Sequence, residues 1–273
     1  MIIYRHHFYS AALSIAVINA VLRPAIALIR EDGWLAALMG GFGISFVIPM
    51  AFVFGIKLLL IKSRDTVCPR DWAVLIAALF ALLIPSATLA WLVAAALAMF
   101  AMSRFSDPFS NQWARAGLSI IIFAALREPM AAVLLKLLAT PLLDTDAIMT
   151  AMLLKLFISD ASSLGNIVTG PGGHRLLILT GCTSYTNLSI ALLGWFTLSR
   201  SCRAFMDIHQ VIAGLFVAGF VVGLNVVRLV LMAVGPVPYH FFHDGIGSSL
   251  FQVTLITVTI LISLMGVRRN ETR

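Results

Sequence analysis

The sequence has little charge for its length. Only 11% of its 273 residues are Asp, Glu, Lys or Arg, 60% are hydrophobic, and the mean hydropathy is +1.00. A soluble domain carries roughly 25% charged residues, so this composition excludes a soluble enzyme and a disordered linker. Apolar stretches of about twenty residues, long enough to cross a bilayer, recur along the chain. The sequence therefore predicts an all-α polytopic membrane bundle in a lipid bilayer, and no nucleic-acid partner is expected despite the formal charge of +7.

Cysteine is scarce too, since the chain has only Cys68, Cys182 and Cys202. No two of them have the spacing of a zinc site, so neither a metal nor another cofactor is expected. On the topology predicted below, Cys182 is the only one outside and has no disulfide partner within the chain. A single thiol in an oxidising compartment is a liability unless it is buried or used. Cys182 is therefore interpreted either as a small apolar residue of a membrane helix or as a nucleophile.

About eight membrane spans are predicted from the apolar stretches. They cover residues 8–29, 34–61, two spans within 72–102, 113–139, 182–198, 207–234 and 246–267. As one helix, residues 72–102 would be about 46 Å long, well over the roughly 30 Å hydrocarbon core. Pro85 and Ser86, near the middle of that stretch, instead predict a hairpin of two shorter spans.

The distribution of basic residues predicts how these spans are oriented. With both termini in the cytoplasm, eleven basic residues fall inside and three outside, as the positive-inside rule requires. The inside residues are Arg5, Lys62, Arg64, Arg70, Arg104, Arg115, Arg200, Arg203, Arg268, Arg269 and Arg273, and the outside residues are Arg30, Lys155 and Arg175. We therefore expect a multi-pass membrane protein with both termini in the cytoplasm.

Residues 140–181 form the one substantial segment predicted on the extracytoplasmic side. Residues 144–158 begin with acidic capping candidates and then place apolar side chains at helical spacing. A helix lying on the outer leaflet and a short helix packed within the fold both fit that pattern. Residues 165–180 predict a β-hairpin-like pair of short strands around a Gly-Pro-Gly-Gly turn. The chain is thus predicted to form one membrane domain, 1–273, with a three-span core at 182–267.

Cys182 lies where the second predicted strand meets span six. A thiol at such a turn is close to unpaired backbone N–H groups and to the positive end of the helix dipole. That environment lowers a thiol pKa, so we expect Cys182 to form a thiolate readily.

Other unusual polar residues are predicted at the same depth as Cys182. Arg228 comes late in span seven, about 31 Å from its cytoplasmic end, and Asn225 lies on the same helix face. His240 and His243 precede the last span. Each residue taken alone also fits a structural role, such as an arginine reaching the interface or a solvated loop histidine. Their coincidence at one depth predicts a functional site at the outer face of the membrane.

A cysteine, an arginine and a histidine together suit acyl transfer. A thiolate attacks a carbonyl, a guanidinium stabilises the thiolate or the oxyanion, and an imidazole moves the proton. Arginine suits its part because it stays charged even where hydration is poor. Asp244 is a candidate to orient one of the histidines.

Arg127 and Glu128, followed by Pro129, interrupt span five. Adjacent residues point to different faces of a helix, so they need not pair with each other. An ion pair with another helix is the preferred interpretation, and support of the site or binding of substrate is the alternative. The proline is expected to kink the span or to end a short one.

Three short motifs resemble the exosortase/archaeosortase family. They are Gly181-Cys182-Thr183-Ser184 opening one span, Asn225-Val-Val-Arg228 late in the next, and His243-x-x-x-Gly247 before the last. The resemblance extends from about residue 165 to the C-terminus. It implies an integral membrane cysteine protease and transpeptidase of the exosortase branch, a thiol hydrolase acting in protein sorting. Its partners would be exported proteins with a C-terminal motif, a transmembrane helix and a basic tail.

The resemblance also implies a role for each motif residue. Cys182 would be the nucleophile, Arg228 would stabilise charge in the transition state, and His243 would be the acid/base. His240 is a rival for the last role, and only the His-x-x-x-Gly spacing favours His243. The family commonly has Cys-Ser-Gly where this chain has Cys182-Thr183-Ser184, which bears on how closely a peptide backbone can approach the turn.

Two other classes of function are weighed against this one. A transporter or channel would have Arg127, Glu128, Asn225 and Arg228 along a pathway through the membrane, whereas most of the distinctive residues gather at the outer face. A lipid-linked transferase would want carboxylates or a metal site at the membrane surface. The outside loop offers only Asp144, Asp146 and Asp160, without ligand spacing.

Overall fold

The computed structural model describes residues 3–39, 41–61, 65–105, 107, 109 and 111–268. Within these residues the chain forms ten α-helices and one three-stranded sheet. The helices are α1 (Arg5–Asp32), α2 (Trp34–Met39), α3 (Val47–Leu59), α4 (Pro69–Leu82), α5 (Ala87–Arg104), α6 (Gln112–Leu154), α7 (Ser184–Cys202), α8 (Ile208–Ala233), α9 (Pro236–His243) and α10 (Ile246–Arg268). The strands are β1 (Ser162–Leu164), β2 (Ile167–Thr169) and β3 (Arg175–Leu177). Four basic residues used to predict the topology, Lys62, Arg64, Arg269 and Arg273, lie outside the described residues.

Among the described residues, five helices are long and apolar enough to cross a membrane, namely α1, α5, α6, α8 and α10. Helices α8 and α10 agree with the predicted spans 207–234 and 246–267 to within one residue at each end. The chain is therefore a membrane bundle built largely of helices, as its apolar stretches predict.

The predicted span 34–61 is not one helix. It breaks into α2, a 3₁₀ turn at Gly41–Gly43 and α3, with Phe42 in the left-handed region at φ 54°. The glycines that flank Phe42 explain the break, because glycine costs a helix about 1 kcal/mol per residue relative to alanine. Helix α3 has 13 residues, which at 1.5 Å per residue is too short to span the hydrocarbon core.

The stretch 72–102 divides at its proline. Helix α4 ends at Leu82 and α5 begins at Ala87, where the hydroxyl of Ser86 accepts a hydrogen bond from the backbone N–H of Leu89 at 3.2 Å. Ser86 is thus the N-cap of α5, and the two helices are separate elements.

The predicted span 113–139 and the predicted outer helix belong to a single element, the 43-residue α6. Its backbone leaves helical geometry at Leu138, where φ is −120° and ψ is 19°. The helix continues through Pro129, so of the two expectations for this proline the end of a short span is wrong. Beyond Leu138, the side chains of Ala147, Ala151 and Leu154 are buried in a core shared with α8. This part of α6 therefore packs within the fold through these three residues. Ile148, Met152, Leu156 and Phe157 of the predicted apolar stripe are exposed, as a helix lying against the outer leaflet requires.

Two compact units divide the chain, and the first contains residues 1–130 and 196–207. Its main packing is α1 against α5, and each of these helices buries a row of alanines spaced four residues apart. The rows are Ala12, Ala16 and Ala20 on α1 and Ala90, Ala94 and Ala98 on α5, all at most 3% exposed. Small side chains at this spacing let two helix backbones approach closely.

A fully buried carboxylate, Asp71, holds the first unit together at one end. Its Oδ1 accepts hydrogen bonds from the Tyr9 hydroxyl at 2.7 Å and from Arg104 Nε at 3.2 Å. Its Oδ2 accepts from the backbone N–H of Cys68 at 2.8 Å and from Arg5 Nε at 3.2 Å. Burial alone would raise the pKa of Asp71, but these donors outweigh it and lower the pKa to about 2.

The second unit contains residues 131–195 and 208–273. Its sheet has the order β1-β2-β3 with both pairings antiparallel, so the predicted segment has one strand more than the two expected. Val168 and Leu176, which pair across the sheet, are buried against Leu229 and Ala233 at the end of α8. The approach is close, since a Cβ atom on Gly170 would lie 2.1 Å from the carbonyl oxygen of Ala233. The sheet thereby fixes the chain that leads to Cys182.

Candidate functional site

The candidate site lies in the second unit and begins at Cys182. This residue ends a 3₁₀ turn, Thr180–Cys182, and α7 starts two residues later at Ser184, so Cys182 precedes the helix rather than opening it. The backbone N–H of Cys182 donates to the carbonyl of Leu179 at 2.9 Å. The Cys182 side chain is partly exposed, as a thiol must be to meet a substrate.

Asn225 of α8 holds the Cys182 turn. Its side-chain NH₂ donates to the carbonyl oxygen of Cys182 and to the hydroxyl of Ser184, both at 3.1 Å. Its side-chain oxygen accepts from the amide of Asn187 at 2.9 Å. Because Asn225 is fully buried and uses both ends of its amide, it fixes the orientation of the turn relative to α8.

The two residues after the cysteine face inward. Thr183 and Ser184 are 0% and 6% exposed, and the Thr183 hydroxyl donates to the carbonyl of Thr180 at 3.1 Å. Their side chains therefore do not stand between a ligand and Cys182.

The first turn of α7 is capped by a carboxylate from α6. Oδ2 of Asp146, a residue only 4% exposed, accepts the backbone N–H of Ser184 at 2.8 Å. A negative charge at a helix N-terminus offsets the positive end of its dipole. The Asp146 carboxylate thus offsets the α7 dipole, which was expected to act on Cys182.

Burial raises the pKa of the Cys182 thiol, and the nearby Arg228 guanidinium opposes that rise. The expectation of a lowered pKa was wrong, because it considered the helix end and left out burial. Cys68 of the first unit has the opposite shift. Backbone N–H donation from Asp71, in the first turn of α4, lowers its pKa.

Arg228 is fixed one helical turn beyond Asn225. Its Nε and Nη2 both donate to the carbonyl oxygen of Phe242 in α9, at 3.1 and 2.9 Å. Its guanidinium carbon also lies 4.8 Å from the centre of the Phe251 ring of α10, a cation–π contact. In the described part of the chain, no hydrogen bond uses its third nitrogen, Nη1, so a donor remains for an oxyanion.

Helix α9, where the sequence predicted only a loop, carries both histidines. Nδ1 of His243 lies 2.5 Å from Oδ1 of Asp244, and its ring stacks on that of Tyr239 with centroids 4.9 Å apart. The His243 side chain is 32% exposed, whereas that of His240 is 74% exposed and lies 3.8 Å from Asp244. Of the two rivals, His243 is therefore the one held by packing, and its Asp244 contact leaves Nε2 for a substrate.

The His-x-x-x-Gly spacing has a steric reason. A Cβ atom on Gly247 would lie 2.6 Å from the side chain of Phe241 and 2.8 Å from its carbonyl oxygen. Only glycine lets the first turn of α10 pack this closely on α9. The spacing thereby sets where His243 stands relative to α10.

An apolar groove lies beside the site between α6 and α8. It has a volume of about 770 Å³, and its lining includes Met149, Met152, Phe220, Val226 and Val227. Val226 and Val227 lie between Asn225 and Arg228 in the sequence, so the groove borders the site residues of α8.

Arg127 and Glu128 are not part of this cluster. They belong to the first unit and form an ion pair with each other, whereas the preferred interpretation was an ion pair with another helix. No group of three or more His, Cys, Asp and Glu side chains in the described residues could hold a metal ion.

Several of these contacts could not be found from the sequence. Phe251 under Arg228, Tyr239 against His243 and the Asp146 cap of Ser184 involve residue types that give no local signal for such roles. In the sequence, Asp146 is a capping candidate of its own helix and a surface carboxylate, and neither role concerns α7.

No protein-family model, curated protein or solved structure matches the chain.

Proposed function

We propose that the protein is a membrane-embedded cysteine protease and transpeptidase of the exosortase type. It cleaves the C-terminal sorting signal of exported proteins at the extracytoplasmic face of the inner membrane. Cys182 is the nucleophile, Arg228 stabilises the oxyanion and His243 is the acid/base. The observation that carries the proposal is a pair of hydrogen bonds made by α8. Asn225 donates to the carbonyl of Cys182, and Arg228, one helical turn further on, donates to the carbonyl of Phe242, the residue before His243.

The reaction proceeds through an acyl-enzyme. His243 takes the thiol proton as Cys182 Sγ bonds to the scissile carbonyl carbon, and the oxyanion that forms accepts a hydrogen bond from Arg228. The carbon–nitrogen bond then breaks, and His243 returns the proton to the leaving amine. An acceptor nucleophile, which is water, an amine or a glycan hydroxyl, loses its proton to His243 and attacks the thioester. The thiol regains that proton as it departs.

Three observations support these roles. Asp244 at Nδ1 orients His243 with Nε2 outward, the arrangement a general base needs. The Arg228 guanidinium opposes the rise in the pKa of the Cys182 thiol, as expected of a cation that stabilises charge at this site. The apolar groove beside α8 suits the transmembrane part of a substrate, since its lining is almost entirely hydrophobic.

A transporter or channel is less well supported. A transport pathway would need polar side chains that can hydrogen-bond to a solute. Both the oxygen and the NH₂ of the Asn225 side chain are instead hydrogen-bonded within the protein. Two nitrogens of Arg228 likewise donate to one backbone carbonyl, that of Phe242.

The test is Cys182→Ala, co-expressed with an exported protein that ends in a short motif, an apolar span and a basic tail. We expect processing by the wild type and none by the variant, with both proteins inserted in the membrane at equal levels. Cys202→Ala is the matched control, because that cysteine is exposed and lies in the other unit, and it should process normally. Mass spectrometry should find the acyl group on Cys182. Full processing by Cys182→Ala would exclude the proposal.

A further inference from the structure

The buried carboxylate of Asp146 has no part in the mechanism above. It comes from α6, 38 residues before Ser184, and is 4% exposed. A buried charge is destabilising unless it is hydrogen-bonded or paired. The Asp146 carboxylate accepts a hydrogen bond from the backbone N–H of Ser184, two residues after the proposed nucleophile Cys182. A neutral side chain such as serine or asparagine would cap a helix about as well. The charge itself therefore calls for an explanation.

The charged and titratable groups around Cys182 come from three elements. Arg228 of α8 favours the thiolate, and Asp244, which follows α9, disfavours it. His243 is paired with Asp244, and His240 lies 3.8 Å from the same carboxylate. Asp146 of α6 adds a second negative charge at the end of α7 that faces the cysteine. Burial, the largest influence on the thiol, also disfavours the thiolate.

We infer that Asp146 is a positioning residue that holds the Cys182 turn and keeps the thiol protonated in the free protein. The hydrogen bond to Ser184 fixes the first turn of α7, and the negative charge cancels the helix dipole that would otherwise favour a thiolate. The thiol then gives up its proton only when a base, His243, takes it during acylation. The link to catalysis rests on the proposed function, whereas the effect on the thiol does not.

The experiment measures the rate at which Cys182 is alkylated by iodoacetamide as a function of pH. It uses the full-length protein in detergent, with peptide-resolved mass spectrometry to separate the three cysteines. Asp146→Asn keeps an oxygen for the Ser184 N–H and removes the charge. We expect its Cys182 profile to move to lower pH, with alkylation at pH 7 about threefold to tenfold faster, since a tenfold change in thiolate corresponds to one pKa unit. Cys68, in the other unit, should keep its own profile in every variant.

Two further variants separate charge from packing. Asp146→Glu keeps the charge and should leave the profile near that of the wild type, and Asp144→Asn removes a charge from the same helix and should also leave it unchanged. If Asp146→Asn does not fold, Asp146→Ser, which is neutral and small enough for this buried position, takes its place. A neutral variant whose profile overlays the wild type overturns the inference, and so does an equal shift in the Asn and Glu variants.

Cleavage gives an independent readout. If the proposed function holds, the acid limb of the cleavage profile should move to lower pH in Asp146→Asn, in parallel with alkylation. An alkylation shift in a protein whose Cys182→Ala variant still processes substrate would uphold the role of Asp146 at the thiol and exclude the proposed reaction.

Discussion

The side-chain amide of Asn225 donates a hydrogen bond to the backbone carbonyl of Cys182 at 3.1 Å. The contact joins α8 to the turn that carries the thiol, and it lies one helical turn from Arg228. One helix therefore places both the nucleophile and the cation of the proposed site. Because Asn225 holds the turn and Arg228 supplies the positive charge, the two positions of the Asn-x-x-Arg motif can be tested separately.

Asn225→Ala should impair activity more than it impairs stability. The variant loses the hydrogen bonds to Cys182 and Ser184, each worth about 1 kcal/mol, and frees the turn to move. We expect cleavage to fall at least tenfold while the unfolding free energy falls by about 1–3 kcal/mol. Asn187→Ala is the matched control, because it removes one bond to Asn225 and none to Cys182. Equal losses of cleavage in the two variants would contradict a role for Asn225 in holding the turn.

Gly247→Ala should destabilise the second unit. The new methyl group would lie 2.8 Å from the carbonyl oxygen of Phe241, which a side-chain rotation cannot relieve, and overpacking of this kind costs about 1–3 kcal/mol. Gly219→Ala in α8 is the control, since a Cβ atom there meets nothing within 4 Å. That change should stabilise the helix by up to about 1 kcal/mol. Thermal unfolding of the two variants in the same detergent should show shifts of opposite sign.

The stability of the protein should depend on acid through Asp71. Its pKa is lowered to about 2 in the folded chain from an ordinary value of 3.8. A lowered carboxyl pKa contributes stability that is present above the unfolded value and is lost as the pH falls through the folded one. The contribution should therefore be complete above about pH 4 and disappear between about pH 4 and pH 2.

Asp71→Asn tests this dependence. The variant cannot ionise at this position, so the difference in unfolding free energy between it and the wild type isolates the carboxylate. We expect the wild type to be the more stable at pH 6 and the difference to shrink toward pH 2. A difference that stays constant over that range would show that Asp71 acts through packing alone.

Much of the helical architecture could be predicted, because a helix that crosses a bilayer needs a certain length and hydropathy. Both can be determined from a single continuous stretch of sequence. Helices α8 and α10 satisfy both conditions, and their bounds agree with prediction. The stretch 34–61 satisfies them as well, yet breaks at Phe42, because hydropathy does not report the backbone cost of neighbouring glycines. Helix α9 is too short to show a pattern of its own and is held by its contacts with α8 and α10.

The candidate site could be predicted as a set of residues and not as a geometry. Cys182, Asn225, Arg228 and His243 stood out because polar residues are rare near a membrane. What holds them is nonlocal: a backbone carbonyl at Phe242 accepts from Arg228, and a carboxylate 38 residues away caps α7. Backbone acceptors have no sequence signal. The expectation of a lowered pKa for the Cys182 thiol was wrong for a similar reason, because the burial of the thiol depends on elements far away in the chain.

The choice between the two histidines is decided by a pair of glutamine variants. His243 contacts Asp244 at 2.5 Å and stacks on Tyr239, so its ring has one orientation, whereas His240 is mostly exposed and holds the same carboxylate only at 3.8 Å. General acid/base catalysis contributes about a hundredfold or more, so His243→Gln should lower cleavage by at least that factor. His240→Gln should keep activity within a few fold of the wild type. Because glutamine can still hydrogen-bond to Asp244, both variants should unfold near the wild-type temperature. The opposite ranking would move the acid/base role to His240, and equal small effects would remove it from α9.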